Sequence, residues 1–425
     1  MLRDFMVLAG MLSDRRCHRL LWAVHREFRK DPRYRFRHLL RAMLHVGLHE
    51  RIVPVRGGYL VSSFLPPMPS RAFDQLLRAT PGTGTRFAEH AQARRSAPIS
   101  LFMAVTGRCA YHCWHCSAAD QAGAPDPTLS QLRSAIAQLQ RMGTSILGLT
   151  GGEPLLREDL EDLVAAIGDQ SASILYTSGM GLTRDRAQAL ARAGLFAVGI
   201  SLDRIDAASF DALRSHPGAW DAAVAAVDHF RSAGGTHVMV QCVADPAFLA
   251  RGEHEALARL AKQIGAHEIR ILEGMPAGRL ADCGPDPFLG PQDREVLLKF
   301  QRRANWSGSY PKVTVFAHAE SADMFGCGAA SQHAYLDARG NLTPCDFVSL
   351  GFGNAFQEPI ADLWQRMNRA VGGPRSRCLA FEMQQHLQAS PGPRPLPLLA
   401  SQELCGQCQK ETRLPKFYRL LAGEP

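Results

Sequence analysis

The chain has 425 residues, 46% of them hydrophobic and 21% charged, with a formal net charge of +8 at pH 7. That length suits two or three domains, and the balance excludes a disordered or fibrous protein. No apolar run approaches the roughly 18 residues of a membrane-spanning helix, and the start, MLRDFMVLAGMLSDRR, carries Asp4 and no small-residue cleavage pattern, so a soluble cytoplasmic protein is expected.

Residues 1–50 have apolar positions at helical spacing, in HRLLWAVHREF and FRHLLRAMLHVGL. A large share of the positive charge falls in residues 1–57, and arginine far outnumbers the six lysines. This basic stretch is either a solvated helix face or a dock for an acidic peptide or an anionic membrane surface. No zinc finger or RNA-binding aromatic signature accompanies it, so no nucleic acid is expected. RIVPVRGGYLVSSF reads as a strand pair across Gly57 and Gly58, LPPMPS as a breaker, and residues 80–97 as a linker. Residues 1–95 therefore form an accessory region, mainly helical.

From residue 98 strand and helix alternate for about six rounds, beginning with ISLFMAVT and ending with EIRILEG. That alternation predicts a parallel α/β sheet wrapped by helices, either open or a partial barrel, over residues 96–285. Ligands of such folds sit at the carboxyl ends of the strands. The stretches 109–116, Gly151–Pro154, Thr177–Gly179, Ser201–Asp203 and Glu273–Gly278 all fall there and are expected to line one mouth. After about residue 285 the alternation fades, and residues 286–425 read as a small cysteine-ligated domain.

Eleven cysteines in a reducing compartment point to metal or catalysis rather than disulfides. Cys109, Cys113 and Cys116 form a front group; Cys327, Cys345, Cys378, Cys405 and Cys408 form a rear group; Cys17, Cys242 and Cys283 stand alone as core thiols or bystanders. Three thiolates spaced C-x3-C-x2-C cannot close a four-ligand site by themselves. Zinc with His112 or His115 as a fourth ligand is one solution. A four-iron cluster with one iron left open for another ligand suits the spacing better, since ordinary ferredoxin loops bring four cysteines or run C-x2-C-x2-C.

CAYHCWHC, then LTGGEP, TSG and SLD at successive strand ends, resemble the radical S-adenosylmethionine (radical SAM) enzymes over residues 98–280. The resemblance implies a partial (β/α)6 TIM-like barrel. It also implies that Cys109, Cys113 and Cys116 hold three irons of a [4Fe-4S] cluster whose fourth iron takes the amino and carboxylate groups of S-adenosylmethionine. His115 then lies near the adenine. Gly151, Gly152, Glu153 and Pro154 lie near the methionine amine, Ser201 near the ribose or carboxylate, and Arg214 against the methionine carboxylate. Met275, in EGMPAGR, falls in the strand end beside the adenine. The cofactor's reductive cleavage gives a 5′-deoxyadenosyl radical that abstracts hydrogen from a substrate, with a ferredoxin or flavodoxin as reductant. One departure is Arg204, where many members with rear clusters have glycine followed later by a His-Asp pair.

The rear group, with GNLTPC and GNAFQEPIADLW, resembles the SPASM or twitch extension of the same enzymes. Cys327, Cys345, Cys405 and Cys408 are the ligand set implied for one auxiliary [4Fe-4S] cluster, with Cys378 either replacing one of them or standing as a free thiol; a structural zinc in those four positions is the alternative. A closed second cluster implies electron transfer and so a net oxidation. The expectation is an oxidoreductase or maturase acting on a peptide or protein, or on a small molecule such as an alcohol, tetrapyrrole or lipid precursor; a non-catalytic metal-stabilised scaffold is the reading of another class. No catalytic acid, base or radical-quenching residue stands out by spacing.

Overall fold

A computed structural model of the protein describes residues 2–29, 35–78, 95–407 and 413–424. Most of the linker expected at 80–97, and Cys408, lie outside the described residues. The N-terminal region follows its periodicity: helices α1 (Leu2–Ser13), α2 (Arg15–Phe28) and α3 (Phe36–Gly47) precede the antiparallel strands β1 (Val53–Val55) and β2 (Gly58–Leu60), then helix α4 (Arg71–Arg78).

The core begins with β3 (Ser100–Thr106), α5 (Leu129–Met142), β4 (Ile146–Gly151), α6 (Leu160–Ile167), β5 (Ala172–Thr177), α7 (Arg184–Arg192) and β6 (Ala197–Ser201). It continues with α8 (Ala207–Arg214), α9 (Ala219–Ala233), β7 (His237–Ala244), α10 (Pro246–Ala250), α11 (Glu253–Gln263) and β8 (Glu268–Glu273). Runs such as LFMAVT and VMVQCVA are apolar on both faces because helices cover the sheet on both sides or close it around a core. Helix α5 starts at a reciprocal cap. Thr128 Oγ1 accepts from the Gln131 N–H at 3.2 Å, and Gln131 Oε1 accepts from the Thr128 N–H at 2.9 Å. It stops at Gly143, in the left-handed region at φ 106°.

The sheet is larger than the alternation predicts. Helix α12 (Pro291–Asn305) and β9 (Lys312–Val315) carry the pattern on, with β9 parallel to β8. β9 is hidden in the sequence by Lys312, a fully buried cation whose Nζ pairs with the equally buried Glu50. At the opposite edge β10 (His333–Leu336) runs parallel to β3, and β11 (Leu342–Thr343) pairs antiparallel to β10. The strand order β11-β10-β3-β4-β5-β6-β7-β8-β9 leaves an open, partial barrel. The cysteine-rich segment is thus hydrogen-bonded directly to the strand that feeds the front cysteine loop. Helices α13 (Phe316–Ala319), α14 (Ile360–Val371), α15 (Leu379–Ala389), α16 (Leu398–Gln407) and α17 (Lys416–Ala422) complete it.

Besides the Lys312–Glu50 pair, an apolar cluster and a buried polar cluster weld the N-terminal region to this body. Leu20, Val24, Ala42, Val46, Phe73 and Leu76 share one apolar cluster with Met324, Phe325 and Leu421. Below the sheet, the fully buried Glu268 accepts from Ser63 Oγ at 2.6 Å, Thr314 Oγ1 at 3.0 Å and Arg270 Nε at 3.0 Å, with His237 Nε2 at 3.0 Å. Burial works against that carboxylate, but Arg270 and His237 beside it hold its pKa well below the usual carboxylate range.

Candidate functional site

The front cysteine loop leaves β3 and is gripped at three places, each by a motif singled out in the sequence. The first is the end of β4. Gly152 N–H donates to Thr106 O and Glu153 N–H to Arg108 O, both at 2.8 Å. Two glycines are required there: a Cβ at Gly151, which sits at φ 127°, would lie 2.3 Å from Thr106 O, and one at Gly152 would lie 2.0 Å from Arg108 O. The second grip is the end of α8, where His112 N–H and Trp114 N–H donate to Arg214 O (3.1 Å) and Leu213 O (3.3 Å). The third follows β8. Arg279 N–H donates to Cys116 O at 3.0 Å, and Gly278, at φ 52°, approaches so closely that a Cβ would stand 2.2 Å from that oxygen.

Side chains complete the front site. Arg214 is buried between Asp203, which accepts from its Nη2, and the Cys113 sulfur, 3.3 Å from its Nη1. Asp203 also accepts from Val243 N–H at 2.9 Å, so it fixes the guanidinium against the sheet. Arg214 Nε is buried without a partner, an open donor beside the cysteines. His115 Nδ1 is likewise buried and unpartnered, and burial pushes this imidazole down to about 4, so it is neutral at pH 7. Glu153, expected near the methionine amine, is held by the protein's own donors. Its oxygens accept from Leu155 N–H (3.0 Å), Thr177 Oγ1 (2.6 Å), Ser178 N–H (2.8 Å) and Ser178 Oγ (2.5 Å). Those four donors use the lone-pair capacity of a carboxylate, so Glu153 ties the end of β4 to the end of β5. Ser201 and Met275 are half-buried and face the same cavity as the cysteines.

Burial pushes the Cys109 thiol up to about 11 and raises Cys116 as well. A metal cluster reverses that cost by binding the thiolates. No three His, Cys, Asp or Glu side chains among the described residues stand close enough to grip a single metal ion. The fit to a cluster therefore rests on the converging loop, its three thiols and the two orphaned donors around it.

The rear group assembles differently from the sequence-implied set. Cys327 and Arg375 exchange main-chain hydrogen bonds (Cys327 N–H to Arg375 O at 2.8 Å, Arg375 N–H to Cys327 O at 3.1 Å). This places Cys378 beside Cys327, with the Cys378 thiol donating to the Cys327 sulfur. That hydrogen bond draws the Cys327 thiol down and raises that of Cys378. Cys345 faces the same space, whereas Cys405 is buried on α16 and does not line it. Cys378 thus joins Cys327 and Cys345. Its position immediately before α15 follows from the fold rather than from its spacing in the sequence. Glu320, on the turn after α13, faces this space too, and nothing in its local sequence marked it; burial pushes its carboxyl well up. Cys17 and Cys242 are buried core thiols.

Front and rear cysteines open onto one cavity of about 1180 Å³. Its walls include Cys109, Cys113 and Cys116 on one side and Cys327, Cys345 and Cys378 on another. A third wall is apolar and comes from the accessory region, including Leu20, Val24, Leu39, Met43, Phe73 and Leu76.

Comparison with known proteins places these features. The Radical SAM superfamily model matches residues 103–248, and the SPASM iron–sulfur cluster-binding domain matches residues 327–388, which span Cys327, Cys345 and Cys378. A GTP 3′,8-cyclase of Erythrobacter litoralis is 33% identical over 275 residues, 58% of this chain and 78% of that protein. A PqqA peptide cyclase of Streptomyces rochei is 29% identical over 306 residues, 66% of this chain and 81% of that protein. The crystal structure of Streptococcus suis SuiB bound to its precursor peptide SuiA superposes with a TM-score of 0.53 at 15% identity, covering 66% of this chain and 67% of that one. The chain belongs to the radical SAM superfamily as an enzyme with a SPASM domain, and with that membership come S-adenosylmethionine, a [4Fe-4S] cluster and auxiliary iron–sulfur ligation.

Proposed function

We propose that this enzyme carries out a net oxidation of a substrate held in the shared cavity between its two cysteine groups. The observation that carries the reading is the single chamber lined by both groups, which lets one bound molecule meet the hydrogen-abstracting site and an electron-accepting site. When bound, the front cluster and S-adenosylmethionine supply reductive cleavage and hydrogen abstraction. The chain supplies position. Cys109, Cys113 and Cys116 hold the cluster. The open Nε of Arg214 meets a carboxylate, and His115 offers a neutral ring beside it. Ser201 and Met275 line the cofactor side, while Gly151, Gly152, Glu153 and Pro154 fix the loop. At the rear, Cys327, Cys345 and Cys378 hold an auxiliary cluster. In this reading residues 96–285 carry the cofactor chemistry, residues 286–425 the auxiliary site and residues 1–95 the cover.

The relatives favour oxidative modification of a peptide or protein, since one is a peptide cyclase. The apolar third wall favours a second reading, a small molecule with a hydrocarbon portion such as a lipid precursor. The test is anaerobic iron counting and 5′-deoxyadenosine assay after reduction. About eight irons are expected in the wild type and about four in a Cys109→Ala/Cys113→Ala/Cys116→Ala variant, from two four-iron clusters. The variant should make no 5′-deoxyadenosine. A wild type that holds iron only at the front loop would remove the electron acceptor and the oxidative assignment with it.

A further inference from the structure

Helix α3 is the wall between the cavity and the outside of the molecule. Leu39 and Met43 face the cavity, and His38, Ala42 and Val46 are buried beneath it. Its outer face is not polar. Phe36, Leu40, Leu44 and Leu48 recur every four residues and form one ridge, exposed by 41%, 50%, 60% and 61%. The ridge continues onto α2, where His25 meets Phe36 edge-on at 5.0 Å and Trp22, 64% exposed, lies one turn before His25. α2 is built the same way: Leu20 and Val24 line the cavity, and Trp22 points outward.

The charge around this ridge has one sign. Residues 1–57 hold thirteen Lys and Arg against five Asp and Glu, which accounts for the whole net charge of the chain. Arg15, Arg19, Arg26, Arg37 and Arg41 are exposed on α2 and α3. Arg26 lies over the Trp22 ring at 5.4 Å, so the aromatic and the cation present themselves together. An exposed apolar ridge with Trp and Phe, bordered by arginines and backed by an apolar cavity, is the pattern of a helix pair that lies in a lipid headgroup layer.

We propose that the outer face of α2 and α3 docks the enzyme on bilayers rich in anionic lipid. The occupant follows from charge complementarity and from continuity. The same helices wall the apolar side of the cavity, so a hydrocarbon-bearing substrate drawn from the bilayer reaches the cysteine groups by passing one helix. That last step rests on the second reading of the function; the docking itself does not.

The test is co-sedimentation of the full-length protein with vesicles of phosphatidylcholine alone or with about 30 mol% phosphatidylglycerol, at low and high salt. Binding to the anionic vesicles should exceed binding to neutral ones by about ten-fold or more and fall with salt. A Leu40→Ser/Leu44→Ser/Leu48→Ser variant should lose about ten-fold while keeping wild-type thermal unfolding and 5′-deoxyadenosine yield. An Arg15→Gln/Arg19→Gln/Arg41→Gln variant should weaken binding and flatten its salt dependence, which tests the surface without touching the apolar ridge. Absence of vesicle binding by the wild type at low salt overturns the proposal. So does equal binding by both variants, or self-association in light scattering that the leucine variant abolishes without any vesicle binding. Because 5′-deoxyadenosine formation is read separately, loss of docking and loss of the radical chemistry are distinguishable.

Discussion

Replacing Gly152 with alanine is the sharpest test of how the cysteine loop is held. The added Cβ would lie 2.0 Å from Arg108 O, and real Cβ atoms essentially never come within 3.0 Å, so the end of β4 and the loop must part by about 1 Å or more. The obstacle is backbone, which cannot rotate away as a side chain could. Parting strains both 2.8 Å hydrogen bonds, Gly152 N–H to Thr106 O and Glu153 N–H to Arg108 O. At about 1 kcal/mol net for each bond and ~1–3 kcal/mol for overpacking, the closed loop loses about 3–5 kcal/mol. That exceeds a hundred-fold in the population of the loop geometry that carries Cys109. The assay is iron content and 5′-deoxyadenosine yield after anaerobic reconstitution, beside Gly284→Ala, whose Cβ would meet nothing within 4 Å. Gly152→Ala should lose the front irons and the 5′-deoxyadenosine, and Gly284→Ala neither. Wild-type iron and turnover in Gly152→Ala would refute the close-approach argument.

Cys378→Ser should lose auxiliary iron while the front site still cleaves S-adenosylmethionine, which would separate the spatial ligand set from one read by spacing alone; unchanged iron would make Cys378 a free thiol. Glu268→Ala leaves Arg270 buried without its carboxylate and should destabilise the fold by about 3–5 kcal/mol, read by denaturant unfolding; a change below about 1 kcal/mol would mean the cluster of donors does not depend on that charge. The stacked pair His49 and His318 is held neutral chiefly by burial, at about 4 and about 3. An unfolded histidine takes its proton near 6.5, so below that pH the unfolded state binds more protons and stability falls as pH falls, by about 1.4 kcal/mol per unit for each ring, until the folded pKa is reached. His318→Phe should flatten that slope between pH 6.5 and 4; curves parallel to wild type would show that these rings do not set it.

Much of this was legible because the chemistry and the fold use the same residues. Gly151 and Gly152 were singled out at a strand end, and the structure sets the backbone of the cysteine loop against them. Arg214 lies thirteen residues after Ser201, and α8 brings it back to Cys113. What was illegible had a physical cause in each instance. β9 was hidden because its first residue is a lysine, and a buried lysine paired to a glutamate 262 residues away leaves no local pattern. The bonds that Thr177 and Ser178 make to Glu153 come from another strand, which its own motif does not record. The role of Cys378 stayed open on spacing because spacing cannot register the two hydrogen bonds that fold Arg375 back to Cys327. Glu320 has no sequence signal at all, since only the cavity makes a carboxylate there noteworthy.

The edge pairing of β10 with β3 has a mechanical consequence. The first residue of β10, His333, stands opposite Ser100 and the last, Leu336, opposite Met103, so a rigid ladder rather than a tether relates the rear cysteines to the strand that launches the front ones. The covalent path between the two halves runs through the turn at residues 281–290, but the mechanical path does not. A protease nick in that turn would leave two fragments still joined by their strands and their shared apolar core, with the separation of the two iron sites unchanged. The distance an electron must travel between them is therefore a property of sheet geometry, and insertions in the connecting turn would leave it untouched.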